Sequence, residues 1–321
     1  MPQPLIRLML VVTDPVNITG SLISDTIRLA INKEAELNIL CVLPEIAEHY
    51  ASLDIPKTEQ SAISTARSHL QHHIDALDTQ CNIPADKLSV DVVFGKPFIE
   101  IIRHCKNRKI SLVIKEATKE SWLRRMLGSS DMHLLRKCPV PVLLLREPAL
   151  PPPENILIAV DFDRDDPELA YDPLNKRMLE LSIALFDSST THYTLLNVYA
   201  SPQAGFVGLF ADDPETAMAS LEADEKRFKQ GELNMLLHYL QASYISPPVF
   251  KRVFTSLIQG RAEEQIPRQV QQSGCDLLVM GTVARTGIPG LLIGNTAEDV
   301  LLDISCNVLA LKPPGFVSPV T

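Results

Sequence analysis

Two stretches of this chain read almost alike: Leu8-Met9-Leu10-Val11-Val12-Thr13-Asp14 near the start, and Ile156-Leu157-Ile158-Ala159-Val160-Asp161 near the middle. Both are continuous apolar runs that end on an aspartate. A run without alternation of apolar and polar residues marks a strand covered on both faces, as in a parallel sheet with helices above and below it. Working outward, each run leads into a helical pattern, over 22–32 and 174–186, and then a second strand, over 37–43 and 193–199. Longer helical patterns follow over 61–79 and 214–241, with third strands near 89–94 and 249–254. Gly95-Lys96 and Gly260-Arg261 open the next helices, and fourth strands over 111–114 and 276–280 lead into a loop and a last helix. Each half closes with a cysteine and a fifth strand, Cys138 to Leu145 and Cys306 to Leu311.

The same elements in the same order indicate an internal duplication. The predicted fold class is α/β: two tandem, doubly wound, parallel five-stranded sheets, with ligands at the carboxyl ends of the strands. The proline cluster Pro148-Ala149-Leu150-Pro151-Pro152-Pro153 fits neither a helix interior nor a central strand and reads as a linker. The expected domains are therefore 1–148 and 154–321, joined by 149–153. The two fifth strands are apolar and would invite aggregation as free edges. They are expected to lie against one another, making the chain an internal pseudo-dimer; pairing of two chains into a homodimer is not legible.

With 45% apolar residues, 321 residues are enough to bury the cores of two ordinary domains. A net charge of −9 gives a surface that repels phosphate backbones, and nucleic acid is not expected as a partner. No run reaches the roughly 18 apolar residues of a membrane span. The first residues lack the pattern of a cleaved leader, and a cytoplasmic location is expected. Six cysteines without a C-x-x-C pair read as small buried thiols in a reducing compartment.

Chemistry concentrates after the fourth strand of the second half, where Gly281-Thr282-Val283-Ala284-Arg285-Thr286-Gly287 leads through Gly290 to Gly294-Asn295-Thr296-Ala297-Glu298. The last residues look like a capped helix start with an acid in its first turn. Such a terminus offers unpaired amides and a positive dipole end to an anion, and glycines let backbone approach it. Glycines in a loop can equally serve tight turns alone; the position between a buried strand and a helix start favours a phosphate cradle. It is not a Walker A loop, and no G-x-G-x-x-G follows the first strand.

These residues, with Gly294-Asn295-Thr296-Ala297-Glu298 and the first-half segment His133-Leu134-Leu135-Arg136-Lys137-Cys138-Pro139, make the chain resemble the universal stress proteins, in particular their tandem-domain type. Nucleotide-binding members of that family look like G-x-x-G, nine residues, then G-[ST]; the matching positions here are Gly281, Ala284, Gly294 and Asn295, so two of the four letters differ. The resemblance implies an adenine nucleotide alpha-hydrolase-like fold with strand order 3-2-1-4-5. It also implies an ATP or AMP site in the second domain, with magnesium held through the phosphates. Asp161 would lie near the base or ribose, Val198 and Met280 against the adenine, and Gly281, Gly294, Asn295 and Thr296 around ribose and phosphates. Arg285 would lie near the phosphates, and Ala284 and Gly287 complete the loop. Ala284 adds a methyl group where close backbone approach is needed, at a cost of about 1 kcal/mol wherever φ is positive.

In the first half Lys115 stands where Gly281 stands and Thr118 where Ala284 stands, while Gly128-Ser129 keeps the last pair. No nucleotide is expected there, and Lys115, Glu116, Lys119 and Glu120 read as solvated charges. His69, His72 and His73 share a helix face at metal-binding spacing, but a solvated face is the expected reading and no metal is assigned. The segment Ala204-Gly205-Phe206-Val207-Gly208-Leu209-Phe210 reads either as the lining for an apolar small molecule or as a loop folded back on the core, the latter favoured. No nucleophile–base pair is visible and no catalytic residue is assigned. Three functions remain: a nucleotide-responsive stress regulator with an unknown protein partner; a scaffold or apolar-ligand carrier without nucleotide; and a slow ATPase or phosphotransferase using Asp161.

Overall fold

The computed structural model describes residues 6–45, 59–77, 83–117, 130–147, 149–164, 173–201, 206, 210–243, 246–283 and 294–320. The chain divides into two compact units: one holds Met1–Pro151 together with Asn307–Thr321, the other Pro152–Val283 with Gly294–Cys306.

In the first unit β1 (Arg7–Val12), β2 (Glu36–Leu43), β3 (Leu88–Phe94), β4 (Leu112–Glu116) and β5 (Val142–Leu145) run parallel in the order β3-β2-β1-β4-β5. Leu8 pairs with Leu37 on one side and Leu112 on the other. Leu8 to Val12 are all buried, so both faces of β1 are covered, as its unbroken apolar run requires. Around these strands α1 (Gly20–Asn32) packs on β1 and β2, α2 (Glu59–Leu77) on β3, and α3 (Pro97–Arg108) on β2 and on α4 (Ser130–Lys137).

The second unit repeats the pattern with β6 (Asn155–Ala159), β7 (His192–Tyr199), β8 (Val253–Gln259) and β9 (Leu277–Gly281), parallel in the order β8-β7-β6-β9. There α5 (Pro173–Phe186) packs on β6 and β9, α6 (Pro214–Ser243) on β7 and β8, and α7 (Ala262–Gln272) on β7 and on α8 (Asn295–Asp303). The third strand starts at Val253 rather than near 249. Pro247 and Pro248 set up a single helical turn, Pro247–Phe250, because a proline's fixed φ suits the first helical position and its missing N–H suits no ladder.

The last strand of the second repeat, β10 (Asn307–Leu311), belongs to the first unit. It runs antiparallel to β5, with Val308 opposite Leu144 and Ala310 opposite Val142. The two fifth strands therefore do lie together, as their apolar edges suggest.

The described cysteines are all free and buried. Four of the five lie in pairs, Cys105 hydrogen-bonded to Cys138 and Cys275 to Cys306, while Cys41 lies apart on β2. The bond to Cys138 and then burial push the Cys105 thiol well up. The remaining cysteine, Cys81, lies outside the described residues.

Just past β10, Lys312 is almost fully buried, donates to the Leu135 carbonyl of α4, and lies 5.5 Å from the centre of the Phe316 ring. Burial lowers its pKa from the ordinary 10.5 to about 7, against a smaller opposing effect of Cys138. Between those values the unfolded chain binds a proton that the folded protein does not, so stability should rise with pH across that window. Lys312→Met should accordingly gain most over the wild type near neutral pH and progressively less towards alkaline pH. Urea unfolding at a series of pH values checks this, and a pH-independent difference would mean that the ammonium stays charged.

Candidate functional site

In the second unit Asp161, Val198, Met280 and Gly281 lie at the carboxyl ends of the parallel strands. Asp161 follows β6 by two residues, with its side chain 63% exposed. Its main chain is fixed from α5: Asn175 Nδ2 donates to the Asp161 carbonyl at 2.7 Å, and the Asp161 N–H faces Asn175 Oδ1 at 3.4 Å. The carboxylate Oδ1 accepts the Phe162 N–H at 2.8 Å and lies 3.4 Å from the ammonium of Lys229. That lysine, from α6, also donates to the Phe162 carbonyl and lies 3.6 Å from Glu225.

Val198, half-buried near the end of β7, lies two residues past Leu196, the partner of Ala159. Met280, buried, pairs with Ala159 from the other side. Gly281 ends β9, and a Cβ there would come within 2.9 Å of Leu174 Cδ2 in α5. This glycine thus permits close packing of helix on strand. Gly294 is the N-cap of α8, Asn295 its first residue and Thr296 an exposed second. As a glycine, Gly294 offers no capping side chain of its own, and its carbonyl accepts the Glu298 N–H at 3.1 Å. A helix start of this kind presents the positive end of the dipole, which suits an anion. Ala284, Arg285 and Gly287 lie outside the described residues.

The first repeat treats the equivalent place differently, and here the structure revises the sequence reading. Lys115 is the penultimate residue of β4, as Met280 is of β9, so Glu116 matches Gly281. Nor is Lys115 solvated: it is 1% exposed, and its ammonium lies 2.8 Å from the fully buried carboxylate of Asp131 in the first turn of α4. It also donates to the Glu116 carbonyl at 2.7 Å. A buried ion pair thus occupies the amino end of α4. Asp14, the first-repeat aspartate, is engaged by its own loop, accepting from the Val16 and Asn17 N–H groups and from Asn17 Nδ2. The Asn17 side chain is the main cause of its lowered pKa. Thr118, Lys119, Glu120, Gly128 and Ser129 lie outside the described residues.

A family model described as the universal stress protein family matches residues 6–146 and again 153–312. The chain belongs to the universal stress protein family. The universal stress protein E homolog of Haemophilus influenzae is 27% identical over 314 residues, covering 95% of this chain and 96% of that protein. Universal stress protein E of Escherichia coli K12 is 27% identical over 237 residues, 73% of this chain and 71% of its own length. Among solved structures, a functionally unknown protein of Pseudomonas aeruginosa PAO1 superposes with a TM-score of 0.60 at 24% identity, over 96% of this chain and 93% of that one. A universal stress protein of Archaeoglobus fulgidus does so with a TM-score of 0.58 at 15% identity, over 95% and 98%. Identities this low carry the tandem fold alone.

Two further residues of this tandem universal stress protein, Asn175 and Lys229, hold Asp161, and sequence reasoning passes over both. Lys229 sits mid-helix, 68 positions from Asp161, and only the packing of α6 brings the two together. Of the segment 204–210 only Phe206 and Phe210 are described; they are 65% and 76% exposed and in edge contact at 5.1 Å, while Ala204, Gly205, Val207, Gly208 and Leu209 lie outside the described residues. Among the described residues no group of three His, Cys, Asp or Glu side chains could hold a metal, and no helix is long and apolar enough to cross a membrane.

The ion pair in the first repeat yields an expectation. Asp131→Ala leaves a buried ammonium without its carboxylate and should lower stability by about 3–5 kcal/mol, whereas Lys115→Met combined with Asp131→Leu should be near neutral. Urea unfolding of both variants checks the contrast.

Proposed function

We propose that this protein is a cytosolic stress-response regulator that binds an adenine nucleotide, ATP or AMP, in its second repeat only, and that it acts by binding rather than by catalysis. The observation that carries the reading is the contrast between the repeats at one place. In the second, α8 starts on a glycine with no capping side chain; in the first, the Lys115–Asp131 pair fills the corresponding amino end of α4. Phosphates at α8 would meet main-chain donors from Gly294, Asn295 and Thr296, with Arg285 close by and magnesium bound through the phosphates. Asp161, held by Asn175 and Lys229, would take hydroxyl or amino donors of the nucleoside, with Val198 and Met280 beside the base. Regulation then requires nucleotide to favour one of two states of the loop and so alter a surface for a protein partner.

A second reading draws on the exposed Phe206 and Phe210 pair: a scaffold, or carrier of an apolar small molecule, that uses this patch without nucleotide. Calorimetric titration with ATP and AMP separates the two. Saturable binding that Gly294→Asp abolishes, through a carboxylate set against the phosphates, is the expected result. No heat at millimolar nucleotide would transfer the case to the scaffold, for which Phe206→Ser with Phe210→Ser should then remove partner capture.

A further inference from the structure

The amino-terminal end of the first unit's sheet holds a cavity of about 400 Å³, within the size range of small-molecule sites. Buried Leu8, Leu37 and Ile110 contribute to its lining, and its charged residues are Arg7, Lys87, Arg108 and Lys109 against Glu36 and Asp86. One of the two acids is already neutralised, since Arg7 Nε donates to Glu36 Oε2 at 2.8 Å. Arg108 reaches Asp91 Oδ2 at 2.7 Å, an atom that His104 and Asn38 also engage at 3.0 and 2.7 Å. Lys87 donates to the Glu34 carbonyl at a long 3.3 Å. In a chain of net charge −9, this concentration of cations runs against the overall composition.

Cations commonly sit at helix C-termini to complement the dipole, and α3 ends here. The second repeat tests whether the fold needs them. Backbone bonds match the positions: Ser111 N–H to Arg7 carbonyl corresponds to Asp276 N–H to Asn155 carbonyl, and Ile110 N–H to Cys105 carbonyl corresponds to Cys275 N–H to Val270 carbonyl. Arg7, Arg108 and Lys109 thus stand where the second repeat has Asn155, Ser273 and Gly274. The strand register likewise sets Lys87 against Arg252, whose guanidinium is committed to the Thr191 carbonyl at 2.6 Å and to Asp187 at 2.9 Å. The second repeat carries exposed Lys251 at the position of Asp86, but its helix end folds without counterparts of Arg7, Arg108 and Lys109.

Lys109 sharpens the contrast. It adopts the left-handed conformation, φ 53° and ψ 46°, and Gly274 has φ 59° at the equivalent turn. Glycine takes this conformation without strain and lysine does not, yet the first repeat carries the lysine, which makes no side-chain bond among the described residues. A non-glycine residue held in this region often marks a site where the side chain is required.

We propose that this cavity is a second ligand site, independent of the nucleotide reading, for a small anion bearing a phosphate or carboxylate group. Lys87 and Lys109 would supply charge-assisted hydrogen bonds, and Arg108 would add a further charge. Calorimetric titration of the full chain with inorganic phosphate, and separately with malonate, tests it and decides between the two anion types. Saturable binding of at least one is expected, weakened roughly tenfold by Lys87→Ala and by Lys109→Gly, as loss of one charge-assisted bond predicts. Lys109→Gly should at the same time raise the melting temperature, a split that a purely structural lysine would not produce, and Gly294→Asp should leave the binding unchanged. Absence of saturable binding for both anions, binding indifferent to both lysine substitutions, or binding lost in Gly294→Asp would overturn the proposal.

Discussion

The antiparallel pairing of β5 with β10 is the contact on which the architecture depends. Val142 to Leu145 are all buried, and an apolar strand of that kind left at an edge is a template for aggregation. The chain covers it with its own last strand, so the first unit is completed by residues from the far end of the sequence. Duplication therefore does more here than repeat a module: the second copy supplies the strand that closes the first. It also explains why Lys312, one residue beyond β10, ends up buried against the Leu135 carbonyl and near Cys138.

Once two copies exist, their carboxyl-edge sites are free to diverge. At the amino end of α8 the second repeat places a glycine N-cap; at the amino end of α4 the first places a carboxylate and an ammonium, both out of water. Such a pair is stable mainly because breaking it is costly, not because it outperforms apolar packing. It fixes one arrangement of β4 and α4. The opposite edge of the first unit has diverged in the reverse sense, gathering cations where the second repeat has Asn155, Ser273 and Gly274.

Much of this was legible beforehand. Unbroken apolar runs ending on Asp14 and Asp161, the proline cluster and the repeated glycine, cysteine and strand signals led to two parallel sheets and to contact between the fifth strands. Where reading failed, long-range packing was responsible. Pro247 and Pro248 shifted the start of β8 by beginning a helical turn. Lys115 looked solvated because charge patterning cannot anticipate a buried partner sixteen positions later, Asp131.

The sequence alone determined the class of fold, the duplication and the place of the glycine-rich loop, since these rest on hydrophobic period and turn chemistry, which are local. Only the tertiary structure decided that Lys229 and Asn175 hold Asp161, that thiols face each other in pairs, and that Lys87, Arg108 and Lys109 share one cavity. Those contacts join residues far apart in the chain, and their energy depends on burial and distance, neither of which a linear pattern carries.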